Sequence, residues 1–222
     1  MHTSTPPRQA VVVLDPGHNG GNASAAAAIN RHVPAGRGRT KPCNTTGTST
    51  DAGYPEHAFN FDVAQRTGRI LSAEGIRVVF TRDADDEVGP CVDERAAIGN
   101  AAEADAVVSI HADGAAAGAR GFHVAYSAPP LNTAQGQPAR RLADALVSGL
   151  ADAGFPVADY IGAAGLSARD DLAGLNLSER PAALVECGNM RNATEAAAMS
   201  TPEGRQRYAE AIAAGTLDFL GR

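Results

Sequence analysis

Tryptophan is absent, and aromatic residues of all kinds make up 5% of the 222 residues. Alanine takes the room, at about a fifth of the chain against an average nearer a tenth for a common residue. Its tolerance of every conformation weakens a helix assignment made on composition. Long apolar runs are missing too: nothing approaches the roughly 18 to 20 consecutive apolar residues of a membrane-spanning helix. Positive charge is scarce, with 19 Lys and Arg against 25 Asp and Glu and a net charge of -6. The one local concentration, Arg37, Arg39 and Lys41, is too sparse to track a phosphate backbone, so a nucleic-acid surface is excluded. The opening stretch MHTSTPPRQA lacks the charged start and apolar core of a secretory signal. It reads as a flexible lead-in, residues 1–10, to a mature domain whose signal has been removed.

What remains is ordinary globular composition, 44% apolar and 20% charged. At this length a folded chain buries roughly 70% of the surface it exposes unfolded, so one domain over residues 11–222 needs no dense set of staples. Strand-length apolar runs recur at Ala10 to Leu14, Ile76 to Thr81, Ala106 to Ile110, Phe122 to Tyr126 and Ala182 to Val185. Most are continuous rather than alternating, as in strands covered on both faces. Helical spacing marks Glu56 to Glu74, Val92 to Glu103, Pro138 to Ala153 and Pro202 to Leu220. The first puts Phe59, Val63, Ile70 and Leu71 on one side and stops at Gly75. The expected fold is α/β, a three-layer sandwich with a mostly parallel central sheet and helices on both faces. Two irregular stretches interrupt it, Pro16 to Pro55 with a short helix at Ala23 to Ile29, and Tyr160 to Pro181.

His18 follows the first run, while His111 and Glu186 directly follow two others. In a parallel sheet all three reach the carboxyl edge, where open α/β sheets bind ligands. Glu56, at the start of a helix, is delivered to the same edge by the long loop. Two histidines, a carboxylate and a second free carboxylate are the needs of a hydrolytic zinc site: three ligands, an open position for water, and a base. Spacing alone leaves satisfied structural histidines as an alternative. Glu186 is harder to dismiss, because a carboxylate abutting a buried run needs a partner or a raised pKa.

The segments LDPGHNGGN (Leu14 to Asn22), YPEHAFN (Tyr54 to Asn60), the pair Thr81 and Arg82, ERAAIGN (Glu94 to Asn100), SIHADG (Ser109 to Gly114) and LVECGNMRN (Leu184 to Asn192) occur in that order. Together they resemble the zinc-dependent N-acetylmuramoyl-L-alanine amidases of the amidase 3 type, over roughly Val11 to Leu220. HNGGN, ECGNM and RDDLAGLN (Arg169 to Asn176) are similar to the mycobacterial, actinobacterial branch. The resemblance implies His18, Glu56 and His111 as zinc ligands and Glu186 as the catalytic carboxylate. It further implies hydrolysis of the amide between N-acetylmuramic acid and the L-alanine of the peptidoglycan stem. Two other readings are weighed beside it: a non-catalytic peptidoglycan-binding regulator of this fold, and a zinc carboxypeptidase acting on stem peptides. All four positions are filled, which favours the enzyme.

Other residues carry narrower expectations. Asp15 either holds a ligand histidine in its tautomer or caps the turn. Arg169 either forks onto a stem-peptide carboxylate or is a surface arginine, and Asn189 orients the loop behind Glu186 or meets substrate. His57 and His123 are read as structural, His2 and His32 as solvated. Cys43 and Cys91, both in irregular and exposed segments, are expected to form a disulfide, with Cys187 free. Closing a loop of about 49 residues is worth about 4 kcal/mol at most, and it tethers the long loop across the catalytic edge. A disulfide and a wall substrate together predict an exported protein of the periplasm or cell wall, monomeric, acting on peptidoglycan or muropeptides.

Overall fold

The computed structural model describes residues 8–222; His2 and the first seven residues of the lead-in lie outside the described residues. Six strands form one sheet: β1 (Val11–Pro16), β4 (Arg77–Phe80), β5 (Ala106–Asp113), β6 (His123–Ser127), β7 (Leu166–Arg169) and β8 (Ala182–Asn189), in the order β4-β1-β5-β8-β6-β7. Strands β4, β1, β5 and β8 run parallel, while β6 lies antiparallel to β8 and pairs in parallel with β7. The expected α/β sandwich is therefore present as a mixed, mostly parallel sheet.

Alternation along the strands sorts side chains between two faces. Val12, Leu14, Val108, Ile110, Val124, Ala183 and Val185 face α2 (Glu56–Ala73), α4 (Gln137–Asp152) and α7 (Pro202–Phe219). Fully buried Phe59, Leu71, Leu146 and Ile212 close that layer, each worth roughly 1.5 to 3 kcal/mol of burial. The opposite face, with Val13, Val107, Ala125 and Ala182, is covered by the shorter α3 (Val92–Ala101) and α5 (Ala173–Asn176). α2 ends where expected, and Gly75 takes φ +77 in the stop.

Both irregular stretches hold more structure than their composition suggests. Tyr160 to Pro181 contains β7 and α5, and the long loop contains a 3-10 turn (Gly20–Ser24), α1 (Ala26–Ile29) and an antiparallel hairpin of β2 (His32–Pro34) and β3 (Thr40–Pro42). α1 falls within the short helix expected over Ala23 to Ile29, and the other elements are too short for periodicity to register. α6 (Ala193–Met199), capped by the Asn192 side chain, was likewise not anticipated. The Cys43–Cys91 disulfide is formed and Cys187 is free and buried. Cys43 and Cys91 are themselves buried, not exposed, because the base of the hairpin packs with Val33 and Val92 against the start of α3.

Candidate active site

Three side chains converge at the carboxyl end of β1 and β5. His18 sits in the turn after β1, Glu56 is the first residue of α2, and His111 lies in β5. Glu56 Oε1 is 3.1 Å from His18 Nε2 and 3.0 Å from His111 Nδ1, and the two imidazoles meet edge to face at 4.9 Å. One ligand atom from each lies within 4.8 Å of the others. His18 Nδ1 is 3.0 Å from the Thr45 carbonyl, which requires the proton on Nδ1 and leaves the Nε2 lone pair for a metal. Glu56 Oε2 accepts the Thr48 N–H at 2.9 Å. Burial alone would raise the Glu56 pKa, but hydrogen bonds and charge from His111 and His18 hold it well below the usual carboxylate range.

The backbone is shaped around this trio. His18 has φ 59, a left-handed conformation that is rare outside glycine and found where surrounding structure enforces it. A Cβ on Gly17 would lie 2.0 Å from the His111 ring, and one on Gly47, at φ +74, would lie 2.6 Å from Glu56 Oε2. Main chain thus presses directly against two of the three side chains, which only glycine permits.

Glu186 is in register with His111 across β5 and β8 and shares its cleft, a cavity of about 470 Å³. Its Oε2 is buried without a hydrogen-bond partner among the described residues. Removal from solvent, and then the Glu56 and Asp113 carboxylates, push its pKa well up. Two nitrogens and one carboxylate oxygen beside an unsatisfied carboxylate are the donor set of a catalytic zinc site, three ligands rather than four. The residues present fit that metal.

The neighbours settle between the alternatives read for them. Among the described residues Asp15 bonds to no histidine; it accepts from Arg95 at 2.8 Å and from the hydroxyls of Thr81 and Ser109, both at 2.6 Å. Burial opposes ionisation there, yet Arg95 and the two hydroxyls outweigh it and hold Asp15 at about 2. The His18 tautomer is instead governed by a loop carbonyl, a contact no motif shows. Arg169 forks onto Asp171 with two 2.7 Å bonds, so its bidentate face is already used within the chain. Asn189 is wholly buried, in keeping with its reading as a loop-orienting residue; it donates to the Ala116 and Ala119 carbonyls, and so ties that loop to the end of β8. His57 bonds Asp85 at 2.8 Å, and His32 is exposed beside Thr40. His123 is buried on the same sheet face as Glu186, its pairing partner in β8. Desolvation, with only partial relief from Asp113, lowers its pKa to about 4. Two groups had no assigned part: Tyr160, whose hydroxyl donates to Asp113 at 3.0 Å, and the arginines Arg82 and Arg95. The arginines were visible as motif residues, but their targets are main-chain carbonyls, which leave no mark in a sequence.

Residues 12–218 match the family described as N-acetylmuramoyl-L-alanine amidase. The chain is 51% identical over 210 residues, 95% of its length and 86% of the relative's, to the N-acetylmuramoyl-L-alanine amidase Rv3717 of Mycobacterium tuberculosis. Among solved structures it is similar to the N-acetylmuramyl-L-alanine amidase Ami1 of Mycobacterium smegmatis, at 53% identity and TM-score 0.93, covering 96% of this chain and 97% of that one. For Ami1 of Mycobacterium abscessus the values are 52% and 0.92, covering 95% and 98%.

Proposed function

Since the chain belongs to the N-acetylmuramoyl-L-alanine amidase family, it is a hydrolase of peptidoglycan, and we propose that it uses zinc held by His18, Glu56 and His111, with Glu186 as the catalytic carboxylate. The observation that carries this assignment is the convergence of three ligand atoms within 4.8 Å beside a buried, partnerless Glu186 Oε2. When bound there, zinc supplies Lewis acidity, lowering the pKa of a water and polarising the scissile carbonyl. Glu186 provides the base. Its carboxylate takes a proton from the attacking water as the C–O bond forms, then returns that proton to the L-alanine nitrogen as the C–N bond breaks. Such general acid and base work is typically worth about 10² to 10⁴ in rate. Removal from solvent and the neighbouring Glu56 and Asp113 carboxylates raise the affinity of Glu186 for protons, which favours the interval in which it holds the proton between the two bonds. The lactyl carbonyl of N-acetylmuramic acid and the stem L-alanine are the two sides of the bond cut. The Cys43–Cys91 disulfide supports placement outside the cytoplasmic membrane, in the periplasm or wall, and a monomer suffices because all four residues come from one chain.

Product masses from a defined muropeptide test the reading. Intact N-acetylmuramic acid and a peptide beginning at L-alanine are expected; a peptide trimmed at its other end would identify a carboxypeptidase, and binding without turnover a regulator. Glu186→Gln is expected to lose about 10² to 10⁴ in kcat while retaining zinc. Wild-type turnover in that variant would remove Glu186 from the mechanism.

A further inference from the structure

Two buried arginines converge on the turn that carries the first ligand. Arg95 donates from Nη1 to the Pro16 carbonyl at 2.7 Å and from Nη2 to the His18 carbonyl at 3.0 Å. Its remaining bonds go to Asp15, Asn19 and the Pro90 carbonyl. Arg82 donates from Nε to the same Pro16 carbonyl at 2.9 Å and from Nη2 to the Gly17 carbonyl at 3.3 Å. Three successive carbonyls, Pro16, Gly17 and His18, are thus taken by two guanidinium groups. Arg82 Nη2 also donates to the His57 carbonyl at 3.0 Å, in the first turn of the helix that begins at Glu56. One side chain therefore ties the turn that leads into the first ligand to the first turn of the helix that carries the second.

Two cations beside a cation site disfavour the metal by simple Coulomb repulsion, and Asp15 and Asp85 offset them at 2.8 Å each. Neither arginine bonds to the ligand side chains or to Glu186. What they hold is main chain, at the one ligand whose φ is positive. We propose that Arg95 and Arg82 are positioning residues for the metal: they enforce the left-handed backbone of His18, which aims its ring at Glu56 and His111. Lysine cannot replace either one, because a single ammonium cannot serve carbonyls lying in several directions, as a planar fork does.

This inference rests on the ligand assignment above but not on the reaction. Its test is zinc affinity of the metal-free protein, measured by competition with a chromogenic chelator, together with thermal unfolding of the same metal-free samples. Arg95→Lys and Arg82→Lys are expected to weaken zinc binding about 10- to 100-fold, the range found when groups that orient ligands are lost. Arg180→Lys is the control: Arg180 also donates to backbone carbonyls, of Ala104 and Glu103, away from the site. It is expected to keep zinc affinity within about twofold even if its Tm falls as far. Asp15→Asn loosens Arg95 without removing it, and its expected loss is several-fold; this variant decides if neither lysine variant folds. Wild-type affinity in Arg95→Lys and Arg82→Lys, or in Asp15→Asn where it decides, overturns the inference. A wild-type protein that binds no zinc overturns the ligand assignment instead.

Discussion

The two faces of the sheet are built on opposite terms. Under α2, α4 and α7 the interior is aliphatic and aromatic, and the polar groups it buries, such as Thr67 and Thr216, bond back into their own helices. Such a layer gains stability in proportion to the area it removes from water, and it tolerates substitutions that conserve volume. At the carboxyl end of the other face, Asp15, Glu56, Arg82 and Arg95 are buried, each at an electrostatic cost that a specific partner offsets, and His123 is buried in its neutral form. Its cover is also thinner, two short helices and a hairpin pinned by a disulfide. The difference teaches a division of labour within one domain: one face supplies free energy of folding and the other spends part of it on geometry. α2 joins them, with Glu56 at its first turn in the site and Phe59 and Val63 already in the apolar layer.

Removing the metal separates the faces most completely. Stripping zinc with a chelator is expected to abolish hydrolysis, with full recovery on adding zinc back, while far-ultraviolet circular dichroism keeps its helical signal. Collapse of that signal would mean that the helical layer depends on the ion. The disulfide comes next. Replacing Cys43 and Cys91 together by Ala should lower unfolding free energy in denaturant by up to about 4 kcal/mol. An unchanged value would show that the packing of the hairpin base suffices without the bond. Thiol titration of denatured, unreduced wild type should find one free cysteine, Cys187.

Leu146→Ala tests the apolar face. Leu146 is fully buried under α7, and the expected loss is about 3 kcal/mol with kcat unchanged in the folded fraction. A fall in kcat would break the claim that the faces act independently. The smallest effect belongs to His123. Its pKa is about 4 when folded against 6.5 when exposed, so between those values the unfolded chain binds the extra proton and stability falls as pH falls. Between pH 6.5 and pH 5 the loss is about 2 kcal/mol. His123→Phe should flatten that slope, and an equal slope in wild type and variant would show that His123 is not held neutral.

Which parts were legible follows the same division. Runs such as VVVL in β1 and AALV in β8, and the helical spacing of Phe59, Val63 and Leu71, are repeated local signals, and burial on both faces demands them of any sequence with this sheet. His18, Glu56, His111 and Glu186 stood out because each adjoins an element boundary or an apolar run. The hairpin, β7, α5 and α6 are short, and tertiary contacts rather than periodicity stabilise them. Arg37 holds the hairpin by reaching Asn176 and Ser127, more than 80 residues away.

By itself the sequence determined the class of the fold and the four chemically capable residues, since hydrophobic pattern and residue chemistry are local properties. Only the tertiary structure decided what surrounds those residues. It turned the Arg169 fork onto Asp171, buried Asn189 against a loop, gave the tautomer of His18 to the Thr45 carbonyl rather than to Asp15, and directed Arg82 and Arg95 to three consecutive main-chain carbonyls. A hydrogen bond depends on position and direction in space, and a backbone carbonyl is the same group whichever residue bears it.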